Sequence, residues 1–110
     1  MGKFLNQNLK TNRAELNREF VAAKPFRHIA IDDFLDMDFA RALLVDFPAF
    51  NDELAVNENG EVGGKAVHQN IATLGPVWRK LDKLVKGEAF RALISDITGI
   101  PALKFDPDYY

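Results

Sequence analysis

Two histidines, His28 and His68, are the only imidazoles in this chain of 110 residues. Between His28 and Asp32, a histidine and a carboxylate stand at positions i and i+4, which places both on one face if the chain is extended. A facial iron site needs two histidines and one carboxylate that converge on the same metal. The local pair lacks one histidine. We therefore interpret His28 as a strand histidine bonded to backbone or carboxylate, and His68 as a surface or hinge residue.

Paired carboxylates occur three times, at Asp32-Asp33, Asp36-Asp38 and Asp106-Asp108. Their chemical use would be acid/base catalysis or cation binding. A calcium loop, however, needs a full shell of oxygen ligands at defined spacing around a glycine turn, and the sequence does not contain that pattern. We predict helix capping and turns for all three pairs.

Nucleophile and phosphate-binding motifs are absent from the sequence. Ser95 is the only serine, it falls inside a predicted helix, and there is no cysteine, which excludes thiol nucleophiles, disulfides and thiolate metal sites. Gly60, Gly63 and Gly64 have neither the preceding strand nor the following helix of a phosphate loop. Trp78 and the nine phenylalanines have core spacing. We predict no catalytic, cofactor-binding or metal-binding residue in this chain.

Capping residues and apolar stripes predict four helices. The first covers residues 9–23, with Thr11 or Asn12 as N-cap, and ends at Lys24-Pro25 because proline disfavours a helical conformation in the residue before it. The second covers residues 36–47 and begins at the N-cap Asp36. Its apolar stripe, at helical spacing, consists of Phe39, Ala40, Leu43, Leu44 and Phe47.

The other two predicted helices follow each other directly. The helix after Gly75 has Pro76 at its first position and stops at Gly87. The next covers residues 88–98 and ends at Gly99, which we expect to adopt a left-handed cap. Their apolar stripes are expected to pack on each other or on a common sheet. The stripes consist of Val77, Trp78, Leu81, Leu84 and Val85, and of Phe90, Leu93, Ile94 and Ile97.

Only two short segments have the sequence pattern of a strand. Alternating residues predict a strand over 26–33, with Ile29 and Ile31 on its apolar face, and residues 102–105 predict a second strand before a turn at residues 106–108. Residues 49–65 are predicted to be a surface loop, with turn signals that leave room for a hairpin. The expected fold class is α+β and mainly helical, with about four helices and one or two short strands in a single domain.

Charge is distributed unevenly along the chain. The net charge is −2, and it divides into +4 over residues 1–28, −8 over residues 29–62 and +2 over residues 63–110. We interpret this as solvated helix faces and acidic loop ends. The acidic balance gives no reason to expect nucleic-acid binding. Because no apolar run has the length of a signal peptide core or a membrane span, we expect a cytoplasmic protein that does not enter a membrane.

Several short motifs occur in a particular order from about Leu16 onward. They are residues 25–35 (PFRHIAIDDFL), 46–48 (DFP) at a helix end, 64–65 (GK), 68–71 (HQNI), 74–78 (LGPVW), 98–103 (TGIPAL) and 106–110 (DPDYY). In this order and spacing, they resemble the N-terminal part of bacterial 2-oxoglutarate- and iron(II)-dependent oxygenases of the prolyl-4-hydroxylase-like type.

The resemblance implies a helical layer that supports a double-stranded β-helix, the jelly-roll in which such oxygenases bind iron and 2-oxoglutarate. In the family, the chain continues from the tyrosines into a glycine-rich segment, a His-x-Asp pair, a distant histidine and a basic residue for the co-substrate. This sequence ends before those residues, and neither His28 nor His68 matches a ligand position. We therefore expect an N-terminal fragment or support domain that is inactive alone, without the jelly-roll core, Fe(II) or 2-oxoglutarate.

An alternative is a free-standing helical protein-binding module with no catalytic activity, because a domain without its sheet should expose an apolar patch. Candidate contact residues are Val77, Trp78, Leu81 and Phe90, although their spacing also suits the core of this domain. The missing jelly-roll could belong to the same chain or to a partner protein.

Overall fold

The computed structural model describes residues 4–68 and 70–108, and its regular structure is helical. Five α-helices follow one another along the chain: α1 (Asn8–Thr11), α2 (Arg13–Ala22), α3 (Met37–Val45), α4 (Pro76–Lys86) and α5 (Glu88–Thr98). Two short 3₁₀ turns, Asp52–Leu54 and Ile71–Leu74, lie between α3 and α4. The mainly helical class predicted from the sequence is confirmed.

The first predicted helix is divided in two. Asn12 has φ −108° and ψ 15°, which is outside the helical region, so α1 ends there and α2 begins directly after it. Asn12 is the N-cap of α2, but its side chain accepts no capping hydrogen bond. Thr11 instead donates its hydroxyl back to the Asn8 carbonyl at 3.1 Å. The prediction of one continuous helix over residues 9–23 is therefore wrong, because the helix is interrupted at Asn12.

The start of α3 and the ends of α4 and α5 follow the predicted capping chemistry, whereas α3 ends at Val45 and not at the predicted Phe47. The Asp36 carboxylate accepts hydrogen bonds from the amides of Asp38 and Phe39 at 3.1 and 3.2 Å. It thereby satisfies two amide donors at the start of α3 that have no acceptor within the helix. Pro76 occupies the first turn of α4, and Gly87 ends it. Gly99 closes α5 at φ 75°, the left-handed conformation that glycine adopts without steric cost.

One small core holds the helices together. Its buried members come from the N-terminal segment and from α1, α3, α4 and α5: Leu5, Leu9, Phe39, Leu43, Leu84, Leu93 and Ile97. α2 lies across α5, and its Leu16 and Phe20 pack against this cluster from outside. Asn17 donates to the Ile97 carbonyl at 2.9 Å, which ties α2 to the end of α5.

The predicted strands are wrong. Residues 26–33 are extended or turned without a ladder, and Asp33 adopts φ 53°. Residues 102–105 form no strand either, and Ala102 has φ 57°. In the part of the chain that the structure describes, no neighbouring strand pairs with either segment, and an extended segment without a partner has nothing to satisfy its backbone groups except water.

The β-structure that does form consists of isolated bridges, Leu5 with Leu35 and Val56 with Val62. The second bridge closes a narrow hairpin within the loop after α3. Its turn contains Gly60 at φ 79°, whose amide donates to the Asn57 carbonyl at 3.0 Å. The Asn59-Gly60 turn signal thus lies at a hairpin.

The molecule is expanded for its mass. Its radius of gyration is 16.6 Å, whereas a compact domain of this length would have about 13 Å. Its accessible surface is 8140 Å², compared with about 6,100 Å² for a folded monomer of this mass. Within residues 4–68 and 70–108, no helix combines the length and apolar character that crossing a bilayer requires.

Candidate functional site

His28 and Asp32 do not share a strand face, because residues 26–33 are not a strand. The His28 side chain is exposed, its Nδ1 lies 2.8 Å from the Phe26 carbonyl oxygen, and its ring contacts the Phe26 ring at 5.2 Å. The predicted bond to backbone is confirmed. The geometry is that of a local turn and offers no convergence with a second ligand.

The carboxylate pairs serve local structure. Asp36 caps α3, Asp38 lies in its first turn, and the Asp106 carboxylate accepts a hydrogen bond from the Asp108 amide at 2.9 Å. Asp32 and Asp33 form a turn. Among the residues that the structure describes, no group of three His, Asp or Glu side chains could hold a metal ion.

Ser95 and Asp82 also have structural roles. The Ser95 hydroxyl donates to the Ile100 carbonyl at 2.6 Å, which fastens the segment that follows α5. Asp82 is buried in α4 and accepts from the Lys86 ammonium at 3.0 Å. The same ammonium lies 5.3 Å from the centre of the Phe105 ring, a cation–π distance. These groups hold the C-terminal segment on α4.

The most unusual surface lies where α3 ends. α3 is apolar on two opposite sides. Phe39 and Leu43 are buried in the core, whereas Leu44 and Val45 are 72% and 82% exposed. Beyond the helix, Phe47 and Phe50 are 65% and 57% exposed. We call the surface formed by Leu44, Val45, Phe47 and Phe50 the α3-end face. Exposed apolar side chains that cluster on one surface often mark an interaction site.

A hollow of about 190 Å³ opens beside the α3-end face. Its walls are almost entirely apolar and consist of Phe47, Pro48, Ala49, Phe50, Ala66 and His68. His68 is half-buried, and its Nε2 atom is shielded from solvent without a hydrogen-bond partner. The interpretation of His68 as a surface or hinge residue did not anticipate this hollow, because the residues that line it are far apart in the sequence.

Trp78 connects the α3-end face to the core. Its ring meets that of Phe47 edge-on, with centroids 6.1 Å apart, while its indole Nε1 is buried without a partner. A buried indole N–H usually finds an acceptor. Two unpartnered polar atoms, one on His68 and one on Trp78, therefore lie on residues that adjoin Phe47.

Three carboxylates lie close to this region in the sequence. Asp46 separates Val45 from Phe47, and Asp52 and Glu53 follow Phe50 closely in the sequence. All three acidic residues are exposed, and no ion pair involves them in the described ranges. Acidic side chains nearest in sequence to the α3-end face are thus open to solvent.

The contact residues suggested by the sequence are not themselves part of the α3-end face. All four are half-buried and pack against the core cluster, as the core interpretation expects: Val77, Trp78, Leu81 and Phe90. Leu44 and Phe47, which the sequence placed in the buried stripe of the second helix, are instead exposed. One signal in the sequence could have revealed this surface: α3 has three consecutive apolar residues, Leu43-Leu44-Val45, which extend around more of the helix than a single apolar stripe covers.

Comparisons of the chain with protein-family models, curated proteins and solved structures found no match. The likeness to the 2-oxoglutarate oxygenases therefore rests on the order of the sequence motifs alone.

Proposed function

We propose that this chain is the N-terminal supporting layer of a 2-oxoglutarate- and iron(II)-dependent hydroxylase, and that its task is to pack against the jelly-roll that carries the chemistry. The order of the motifs from residues 25–35 to residues 106–110 supports the choice of family. The fold supports the role of a covering layer.

The observation that carries the role is the excess of exposed surface. The chain exposes 8140 Å², which exceeds the value for a folded monomer of its mass by about 2,000 Å². A partner in a large, permanent interface loses a surface of that order. Exposed apolar side chains at the end of α3 form part of this surface, as expected if another layer covers them.

Within the proposal, this chain contributes packing and not ligands. Its described residues offer no set of three side chains that fits an iron site, and no step of the hydroxylation is assigned to it. Iron and 2-oxoglutarate would be bound by the jelly-roll, in the same chain or in a partner protein. A cytoplasmic location is part of the same proposal.

Titration of the purified chain with Fe(II) and with 2-oxoglutarate, followed by calorimetry, tests the proposal that this chain does not bind them. We expect no binding of either. A stoichiometric, high-affinity iron site would contradict the proposal, because the metal would then be bound by the supporting layer itself.

The encoding DNA beyond the Tyr110 codon tests the family. A reading frame that continues into glycines and a His-x-Asp motif would support the oxygenase. A stop codon directly after Tyr110, with no oxygenase jelly-roll that binds the purified chain, would instead favour the second candidate, a free-standing helical protein-binding module. The α3-end face is compatible with that module, because it needs a protein partner but no enzyme.

A further inference from the structure

We propose that the α3-end face and its hollow form a docking site for a segment of another protein in which large apolar side chains are flanked by lysine or arginine. This inference rests on the version of the proposed function in which the covering layer belongs to another protein. It does not depend on the oxygenase family.

The apolar component follows from α3 itself. Leu44 and Val45 project away from the core formed by Phe39 and Leu43, so the helix has an outer apolar side that nothing covers in the described chain. Water contact with these side chains is unfavourable by an amount that scales with their area. A partner with large apolar side chains would remove that area from water.

The hollow gives the site a place for an anchor. Its volume of about 190 Å³ is comparable to that of one large aliphatic or aromatic side chain, and energetically dominant contacts at interfaces are often single side chains inserted into such pockets.

The acidic residues near the α3-end face indicate the charge that a partner should carry. Asp46, Asp52 and Glu53 each lie within three sequence positions of Val45, Phe47 or Phe50, and Arg41, which adjoins Leu44 and Val45 on α3, is the only basic residue between positions 29 and 62. A two-fold pairing of this face with a second copy would bring the same carboxylates together, because an isologous interface joins identical patches. Basic side chains on the partner match the acidic surround, and such complementarity guides association and suppresses wrong partners.

Binding of two synthetic peptides to the purified chain tests the proposal. The peptides share the same leucine positions, and one has lysine where the other has glutamate. Anisotropy of a dye on each peptide reports binding at physiological salt. We expect the lysine peptide to bind at least about tenfold more tightly than the glutamate peptide.

Variants connect that binding to the site. Leu44→Ser should weaken the lysine peptide about tenfold, whereas Val21→Ser, at a 44% exposed position on α2, should leave it unchanged. The double change Asp52→Asn with Glu53→Gln should weaken it several-fold more than Asp106→Asn with Asp108→Asn. Because all these positions are exposed, the variants are expected to fold, which circular dichroism would verify.

Three results would overturn the docking site. The first is equal affinity for the two peptides, and the second is an equal effect of Leu44→Ser and Val21→Ser. The third is a dimer in sedimentation that Leu44→Ser dissociates, since the occupant would then be a second copy. None of these results bears on the iron titration or the reading frame, so failure of the site and failure of the oxygenase assignment are distinguishable.

Discussion

Two regions of this molecule differ in what stabilises them. The helical part, formed by the N-terminal segment and the five helices, contains a closed apolar cluster in which Leu93 has no exposed surface and Ile97 is 2% exposed. The region from Leu44 to His68 contains one short 3₁₀ turn, one bridge and a single buried hydrophobic residue, Ala55. Its large apolar side chains face outward.

The difference lies in how much apolar surface each region buries by itself. The helical part can satisfy its backbone internally and bury apolar side chains by itself. The region after α3 contains a similar fraction of apolar residues, but in the described part of the chain no second layer covers their side chains. Regions with few buried contacts open locally at low free energy, so we expect this region to open more readily than the helical part.

Leu93→Ala and Leu44→Ala give the strongest contrast, because the same residue type is removed from the two regions. Loss of the Leu93 side chain should lower the free energy of unfolding by about 3 kcal/mol, since it leaves a cavity in a closed core. Leu44→Ala should change it by less than about 0.5 kcal/mol, because Leu44 is solvent-exposed.

Urea denaturation measured by circular dichroism provides both values. Equal losses for Leu93→Ala and Leu44→Ala would show that the α3-end face is already packed in the isolated chain, and the distinction between the regions would be lost.

Gly99→Ala and Gly64→Ala compare the backbone requirements of the two regions. Gly99 closes α5 at φ 75°, where a Cβ costs about 1 kcal/mol. Gly64 has no positive φ, and a Cβ there would meet nothing within 4 Å, so Gly64→Ala should stay within about 0.5 kcal/mol of the parent. Thermal unfolding of the two variants would measure this difference, and a loss confined to Gly64→Ala would contradict it.

The smallest expected effect concerns the ion pair between Arg13 of α2 and Asp96 of α5, whose side chains are 28% and 51% exposed. A double-mutant cycle with Arg13→Ala and Asp96→Ala should give a coupling of about 0.5 kcal/mol that decreases with added salt. The Arg18–Glu15 pair within α2 is more exposed and serves as the control with a smaller coupling. A coupling of several kcal/mol for Arg13 and Asp96 would mean that charge, and not apolar burial, joins α2 to α5.

The sequence alone determined the features that depend on neighbouring residues. Asp36 caps α3, Pro76 begins α4, and Gly87 and Gly99 end α4 and α5, because each of these effects acts within one turn of the chain. The stripe of Leu93 and Ile97 identified a buried face for the same reason. Local chemistry also assigned the paired carboxylates to caps and turns.

Tertiary structure decided the rest. The alternation in residues 26–33 predicts a strand only if a neighbouring strand exists, and the described chain provides none. The apolar stripe of α3 did not reveal which of its members face the core, because Leu43 and Leu44 differ by only one helical position. The hollow lined by Phe47, Phe50, Ala66 and His68 joins two segments of the loop, and such proximity depends on how the whole chain packs and not on local sequence preferences.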